Sequence, residues 1–99
     1  MQFGEFIESL GGRYITAIDS GSTLDDMDTL NETTNYVASL SKQNGEPSYC
    51  TATGVLKGIE AAVKFKLEKD SLSGLHIAIQ GIGKVGYALA TYLHEMGAK

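Results

Sequence analysis

The sequence of 99 residues contains a single cysteine, a single proline, a single arginine and no tryptophan. One cysteine cannot form an internal disulfide, and a chain of this length buries only about 60 to 65% of its unfolded surface, so we expect low stability. Leu, Ile, Val and Phe nevertheless make up 24 of its residues. This share exceeds the roughly 20% below which chains tend to be disordered. A small folded protein is therefore expected, which is either marginally stable alone or stabilised by partners.

Long apolar runs are also missing. Residues 77–79 are followed at once by Gln80, so this run falls far short of the roughly 18 consecutive apolar residues of a membrane span. At the start of the chain Glu5 and Glu8 precede Arg13, whereas a secretory signal begins with positive charge. These absences predict a soluble, cytoplasmic protein with no membrane partner.

The sequence offers little for nucleophilic or metal chemistry. Cys50 is far in sequence from both His76 and His94, so we expect a small buried thiol rather than a nucleophile. No group of residues has the spacing of metal ligands, and no metal site is predicted.

Charge divides the chain in two. Residues 1–46 hold eight acidic and two basic residues, a net charge of −6, and residues 47–99 hold four acidic and six basic residues, a net charge of +2. The break lies in residues 41–48, a run of turn formers that we interpret as a linker between two structural units. Because lysines are interleaved with glutamates, no continuous basic face is expected, and neither is nucleic-acid binding.

Three elements are predicted before the linker. Apolar residues at helical spacing predict a first helix that ends at Gly11 and Gly12; its apolar positions are Phe3, Phe6, Ile7 and Leu10. Residues 14–18 are rich in strand formers and lead into Asp19, which places this carboxylate at the end of a strand. An N-cap at Thr23, with Asp26 three residues later, predicts a helix that ends near Asn35 and carries Leu24, Met27 and Leu30.

Helix, strand and helix are predicted after the linker. The first helix has Glu60–Lys64 and Lys64–Glu68 pairs on one face and, on the other, an apolar stripe formed by Val55, Leu56, Ile59, Ala62, Val63 and Leu67. Residues 75–80 predict a short strand. The last helix ends at Gly97, and its apolar positions are Val85, Ala88, Leu89, Tyr92, Leu93 and Met96. The whole pattern predicts an α/β fold.

A glycine-rich turn joins that strand to that helix. Its residues match the pattern G-x-G-x-x-G, and we predict that all six contact a dinucleotide: Gly81, Ile82, Gly83, Lys84, Val85 and Gly86. Gly81 would form the tight turn, Gly83 would leave room for the phosphates before the helix N-terminus, and Gly86 would let the helix pack closely on the strand. A structural turn without a ligand is the alternative.

Three segments together resemble one enzyme family. Residues 12–27 read GRYITAIDSGSTLDDM, residues 51–55 read TATGV and residues 81–86 read GIGKVG. They resemble, in order and spacing, the leucine, valine and phenylalanine dehydrogenase branch of the glutamate dehydrogenase superfamily, with the leucine members nearest. The resemblance implies an oligomeric enzyme that uses NAD for the reversible oxidative deamination of L-leucine or a similar branched-chain amino acid to the 2-oxo acid and ammonia.

The resemblance also implies a domain assignment. Residues 1–46 would be the C-terminal part of the substrate (dimerisation) domain together with the hinge. Residues 47–99 would be the start of a Rossmann-like NAD-binding domain. Both parts belong to an α/β fold, in agreement with the pattern of predicted elements.

The family pattern assigns roles to three residues outside the glycine turn. Asp19 matches the catalytic aspartate, which moves protons between the substrate nitrogen, water and a catalytic lysine; capping of the following loop is the alternative. Ala17 lies two residues earlier and therefore on the same side of a strand, where it would help line the pocket for the substrate side chain or simply pack. Thr51 would place a hydroxyl near the nicotinamide amide, and it could also serve as a helix N-cap.

The sequence departs from the family at the catalytic lysines. In the family these lie upstream, one of them in a G-G-G-K segment, and no lysine of this sequence falls in such a segment. The 99-residue chain alone is therefore expected to be inactive. Ser20, Ser22 and Lys84 are milder departures, and Lys84 would add positive charge near the phosphates. A small non-catalytic domain that binds a nucleotide or mediates assembly is the alternative function.

Overall fold

The computed structural model describes residues 2–42 and 47–99. The chain divides into two compact units, Met1–Pro47 and Ser48–Lys99. The described residues form four α-helices, two in each unit, and no helix among them combines the length and apolar character that a membrane span requires. The helices are α1 Gln2–Ser9, α2 Leu24–Asn31, α3 Ser48–Leu67 and α4 Lys84–Glu95.

Helix α1 buries only part of the predicted apolar face. Gly4 and Ile7 are buried, whereas Phe3 and Phe6 are 53% and 62% exposed. A methyl group on Gly4 would overlap the hydroxyl oxygen of Thr33, so glycine allows α1 to lie against the segment that follows α2. The close approach of that segment, rather than the size of the side chains, selects the buried face.

The turns at the ends of α1 and α2 follow local sequence signals. After α1 the chain passes through Gly11 and Gly12, whose φ angles of 59° and 86° lie in the left-handed region that favours glycine. Thr23 is the N-cap of α2, and it forms a reciprocal capping box with Asp26. Both predictions are confirmed, although α2 ends earlier than the expected Asn35.

The core of the first unit is formed by α2 and the segment after it. Its buried apolar residues are Met27, Leu30, Val37 and Leu40. Ile18 packs against them from the extended segment of residues 14–18. This segment meets its neighbour through one isolated parallel bridge, between Thr16 and Val37. The N–H of Thr16 donates to the carbonyl of Tyr36 at 3.0 Å, and its carbonyl accepts from the N–H of Ala38 at 2.7 Å.

The prediction of a strand at residues 14–18 is therefore wrong as stated. A β-strand is defined by a run of hydrogen-bonded pairs along a neighbouring strand, and here the pairing covers Thr16 alone. From Ile15 to Asp19 exposed side chains alternate with covered ones, but the segment has no ladder and Tyr14 is also exposed.

Helices α3 and α4 pack together around the core of the second unit. The buried residues of this core are Ala52, Leu56, Leu72, Ala88, Leu89 and Leu93. The prediction for α4 is confirmed, since its buried residues are among those expected to face inward. The stripe predicted for α3 is wrong in part, because Val55 and Leu67 are 43% and 52% exposed and Ala62 is exposed as well. Glu60 pairs with Lys57 at 3.0 Å rather than with Lys64.

Residues 75–80 run beside this core as an extended segment. Leu75, Ile77 and Ile79 are partly buried against the core, and the residues between them are exposed. The N–H of Lys99 donates to the carbonyl of Leu75, and its carbonyl accepts from the N–H of Ile77, both at 2.8 Å. Just before this segment, the N–H of Gly74 donates to the carbonyl of Gly97 at 2.9 Å. These few hydrogen bonds do not form the ladder of a β-strand, so the prediction of a strand at residues 75–80 is wrong. The α/β prediction is corrected accordingly, because residues 2–42 and 47–99 form helices and extended segments but no β-strand.

Two further expectations concern the start of the second unit. The predicted linker, residues 41–48, lies partly outside the described residues, which omit 43–46, and Ser48 is already the first residue of α3. Cys50 is exposed, so the expectation of a buried thiol is wrong. Successive residues of a helix are rotated by about 100°, and the buried Ala52 therefore points to the opposite side of α3 from Cys50.

Candidate functional site

Ala17 and Asp19 lie on the exposed side of the extended segment in the first unit. Thr16 is buried and Ile18 is half-buried, whereas Ile15, Ala17 and Asp19 are exposed. Because side chains alternate along an extended backbone, these three exposed side chains face the same way. The surface therefore combines two aliphatic side chains with one carboxylate, a pairing that suits a ligand with an apolar part and an ionisable part.

The backbone of Asp19 is held by a tight turn. Its carbonyl accepts hydrogen bonds from the N–H of Ser22 at 3.1 Å and from the hydroxyl of Ser22 at 2.8 Å. Its own N–H donates to the same hydroxyl at 3.0 Å. One oxygen of the carboxylate accepts from the N–H of Ser20 at 2.8 Å. An exposed carboxylate on a fixed turn can exchange protons with a bound molecule, and the same bonds support the loop. The catalytic and capping interpretations of Asp19 are thus compatible.

Glu8 anchors the segment that pairs with Thr16, and sequence reasoning missed it. Its carboxylate accepts from the hydroxyl of Thr34 at 2.6 Å and from the N–H of Asn35 at 3.1 Å. These hydrogen bonds, the Thr34 bond above all, lower the pKa of Glu8 below its ordinary value of 4.5. The hydroxyl of Thr34 in turn accepts from the N–H of Tyr36. No motif signals a contact between residues so far apart in sequence.

The glycine turn of the second unit has a geometry that depends on its glycines. Gly81 has a φ of 93°, which side chains rarely allow. A methyl group on Gly86 would overlap the carbonyl oxygen of Gly81 and lie 3.8 Å from Ile79, so α4 starts in close contact with the extended segment. Gly83, by contrast, faces open space, with no atom within 4 Å of an added methyl group.

The N-terminus of α4 begins at this turn. Gly83 is its N-cap, with extended backbone and no side chain to bond the first N–H groups, and the carbonyl of Gly83 accepts the N–H of Tyr87 at 2.8 Å. The first turn of α4 holds no acidic residue, and its first residue is Lys84. The positive end of the helix dipole and the positive charge of Lys84 both favour an anion here. Ile82 is 63% exposed, and Val85 packs against the core.

Thr51 lies in the second unit with the glycine turn. It is exposed and stands within the first turn of α3, which begins at Ser48. Its alternative interpretation as a helix N-cap is therefore wrong, and its contact with a nicotinamide stays a prediction. Within residues 2–42 and 47–99, no three His, Cys, Asp or Glu residues come together as metal ligands.

A surface cavity of about 430 Å³ occupies another part of the second unit. Its lining residues are Lys57, Glu60, Ala61, Val63, Lys64, Lys69, Asp70, Ser71, Leu72 and Met96. None of the predicted site residues lines it. The candidate dinucleotide site is instead the open surface in front of α4.

Comparison with known proteins gave close relatives, although no family model matches the chain. The chain is 49% identical to a leucine dehydrogenase from Geobacillus stearothermophilus, over 98% of this chain and 27% of that protein. It is 42% identical to a phenylalanine dehydrogenase from Lysinibacillus sphaericus, over 97% of this chain and 26% of that protein. The crystal structure of L-tryptophan dehydrogenase from Nostoc punctiforme superimposes with a TM-score of 0.72 at 38% identity, covering 99% of this chain and 27% of that one.

All three relatives are amino-acid dehydrogenases, and the chain spans only 26% to 27% of their lengths. The chain therefore resembles one segment of an amino-acid dehydrogenase. More particularly, it resembles a fragment of leucine dehydrogenase, which confirms the resemblance carried by the three sequence motifs.

Proposed function

We propose that residues 1–99 are a segment of an enzyme that catalyses the NAD-dependent, reversible oxidative deamination of L-leucine or a similar branched-chain amino acid. The relatives named above support the amino-acid class, and their names differ in the amino acid. The preference for a branched aliphatic substrate rests on the higher identity to a leucine dehydrogenase and on the small side chain of Ala17 beside Asp19.

The first unit, in this proposal, is the end of the substrate domain, and the second is the start of a Rossmann-like domain. The second assignment is supported by the order of its parts: an extended segment with one covered face, a glycine turn and a helix that begins at the turn. The two hydrogen bonds of Lys99 to Leu75 and Ile77 have the pattern that begins a parallel pair.

The single observation that carries the cofactor proposal is the open space at Gly83 in front of α4. Gly81 is held in a left-handed conformation and Gly86 has no room for a methyl group, whereas an added methyl group on Gly83 would meet no atom within 4 Å, so neither backbone strain nor packing requires glycine there. Gly83 and the first turn of α4 would hold the pyrophosphate of NAD, and Thr51 would approach the nicotinamide amide. The nicotinamide, when bound, would accept a hydride from the substrate.

Asp19 moves protons at the substrate nitrogen and at water. Its carboxylate is exposed, one of its oxygens is already oriented by Ser20, and its backbone is fixed by Ser22. Such a group holds its position while it exchanges a proton, which is the requirement for general acid–base catalysis. Ala17 leaves space on the same side of the segment for an aliphatic side chain.

The test is to translate the complete open reading frame around this segment and to assay the purified protein. We expect reduction of NAD at 340 nm that depends on an amino acid, fastest with leucine among leucine, phenylalanine and tryptophan, from a homo-oligomer by light scattering. The matched control is the 99-residue chain alone, which lacks the family's lysine segment and should give no turnover.

Three outcomes would contradict the proposal. A reading frame without an upstream G-G-G-K segment would remove the catalytic lysine. A complete protein that binds NAD without any amino-acid-dependent turnover would favour the non-catalytic alternative. Turnover by the 99-residue chain itself would show that the assignment of the catalytic groups is wrong.

A further inference from the structure

The hydroxyl of Ser22 makes two hydrogen bonds to the backbone of a single residue, Asp19. It accepts from the N–H of Asp19 at 3.0 Å and donates to the carbonyl of Asp19 at 2.8 Å. The N–H of Ser22 donates to the same carbonyl at 3.1 Å. Both peptide groups that flank the Cα of Asp19 are thereby fixed by one side chain three residues further along.

These bonds matter because little else holds Asp19 in place. The covered part of the extended segment ends at Ile18, and Asp19, Ser20 and Gly21 are all exposed. After these exposed residues, the capped start of α2 begins at Thr23, whose N–H donates to the carboxylate of Asp26 at 2.8 Å. The hydrogen bonds of Ser22 therefore hold the stretch that connects the packed segment to the capped start of α2.

The direction of the Asp19 carboxylate follows from its backbone. With the peptide groups fixed, the N–H of Ser20 is positioned to donate to one carboxylate oxygen at 2.8 Å. The other oxygen is left for a ligand on the side shared with Ala17. Loss of the Ser22 hydroxyl would remove two of the three hydrogen bonds between Ser22 and Asp19 and leave only the bond from the N–H of Ser22 to the Asp19 carbonyl. The N–H of Asp19 would then lose the Ser22 hydroxyl as its acceptor, and the carboxylate would spread over several orientations.

We propose that Ser22 is a positioning residue for Asp19, acting through its hydroxyl. This inference rests on the proposed function, because it assigns to Asp19 the proton transfer described above. It makes Ser22 a determinant of kcat that touches neither substrate nor cofactor. Threonine carries the same hydroxyl on the same carbon, so it should replace serine here, whereas alanine should not.

The kinetic test compares Ser22→Ala and Ser22→Thr in the complete protein. Ser22→Ala should lower kcat about 10- to 100-fold, the range expected when a catalytic group is misplaced by about 1 Å, and should leave KM for leucine within about twofold. Ser22→Thr should restore most of kcat. The matched control is Thr29→Ala, which also removes an exposed hydroxyl bonded to a backbone carbonyl in the same unit and should not change kcat.

A second pair of variants separates positioning from general destabilisation. In an Asp19→Asn background, Ser22→Ala should cause little further loss of kcat, because the group that it positions is already absent. An equal loss in both backgrounds would overturn the inference, and so would a wild-type kcat in Ser22→Ala or an equal loss in Ser22→Thr.

Amide hydrogen exchange of the 99-residue chain tests the structural step without any activity. Ser22→Ala should speed exchange at the N–H of Asp19 about tenfold or more, while the amides of Met27 and Leu30 in α2 keep their rates. Unchanged exchange at Asp19 would overturn the inference. An inactive wild-type complete protein would instead overturn the proposed function, and the exchange result would still decide whether Ser22 holds Asp19.

Discussion

Gly86→Ala should destabilise the second unit even though alanine is the better helix former. The added methyl group would overlap the carbonyl oxygen of Gly81 and contact Ile79 at 3.8 Å. The Gly81 oxygen belongs to the backbone and cannot rotate away, so the start of α4 must move off the extended segment. Overpacking of this kind costs about 1–3 kcal/mol, and alanine returns about 0.5–1 kcal/mol through helix propensity. We expect a net loss of about 1 kcal/mol, and at most about 2.5 kcal/mol.

Gly58→Ala is the matched control. Gly58 lies within α3, is exposed, and has no atom within 4 Å of an added methyl group. The same substitution should therefore stabilise the chain by about 0.5–1 kcal/mol, because alanine loses less backbone entropy than glycine in a helix. The two variants add the same atoms to helical positions and are expected to change stability in opposite directions.

Urea unfolding of the 99-residue chain, followed by circular dichroism at 222 nm, gives both free energies. Amide exchange at Leu89 and Leu93, the two buried leucines of α4, assigns the change to the second unit. A Gly86→Ala chain as stable as the wild type would refute the close contact between α4 and residues 75–80. It would also remove the reason for the third glycine of the motif, Gly86.

Three further predictions follow from the site. Glu8 has a lowered pKa in the folded chain, so its contribution to stability should be full above pH 4.5 and lost as pH falls through the folded pKa. The difference in urea midpoint between the wild type and Glu8→Gln should therefore shrink from pH 6 to pH 3. A constant difference would contradict the role of Thr34 and Asn35. In the complete protein, Gly83→Val should raise the Kd for NAD far more than the KM for leucine, since it fills the open space before α4, and an unchanged Kd by titration would make the turn purely structural. Asp19→Asn should lower kcat by roughly 10² to 10⁴ with a Tm close to the wild type, and turnover within a factor of about three would remove it from the catalytic groups.

The sequence alone determined the features that depend on neighbours along the chain. The capping box of Thr23 and Asp26, the glycine end of α1 and the start of α4 at the glycine turn all lie where the pattern predicts. Each involves groups within about four residues of one another, where backbone geometry and side-chain chemistry fix the outcome without reference to the rest of the fold. The family resemblance was also readable in this way, because its motifs are local.

Tertiary contacts decided which face each element buries and which groups meet at the site. The periodicity placed Phe3 and Phe6 on an apolar face, yet the segment around Thr33 approaches at Gly4 and leaves both rings exposed. Cys50 is likewise exposed because it lies on the side of α3 opposite the buried Ala52. Periodicity specifies only that a helix has an apolar face, and the neighbouring backbone selects the part of that face that is buried.

The extended segments show the same difference between what local sequence signals and what tertiary contacts determine. Composition predicted strands at residues 14–18 and 75–80, and both predictions are wrong because a strand exists only where another segment supplies a matching row of N–H and carbonyl groups. Thr16 and Lys99 each make one such pairing, with partners that no local pattern identifies. The bond from Thr34 to Glu8 likewise joins residues 26 positions apart. Pairings of this range are set by the three-dimensional packing of the chain, because a sequence pattern specifies the donors and acceptors but not which of them meet.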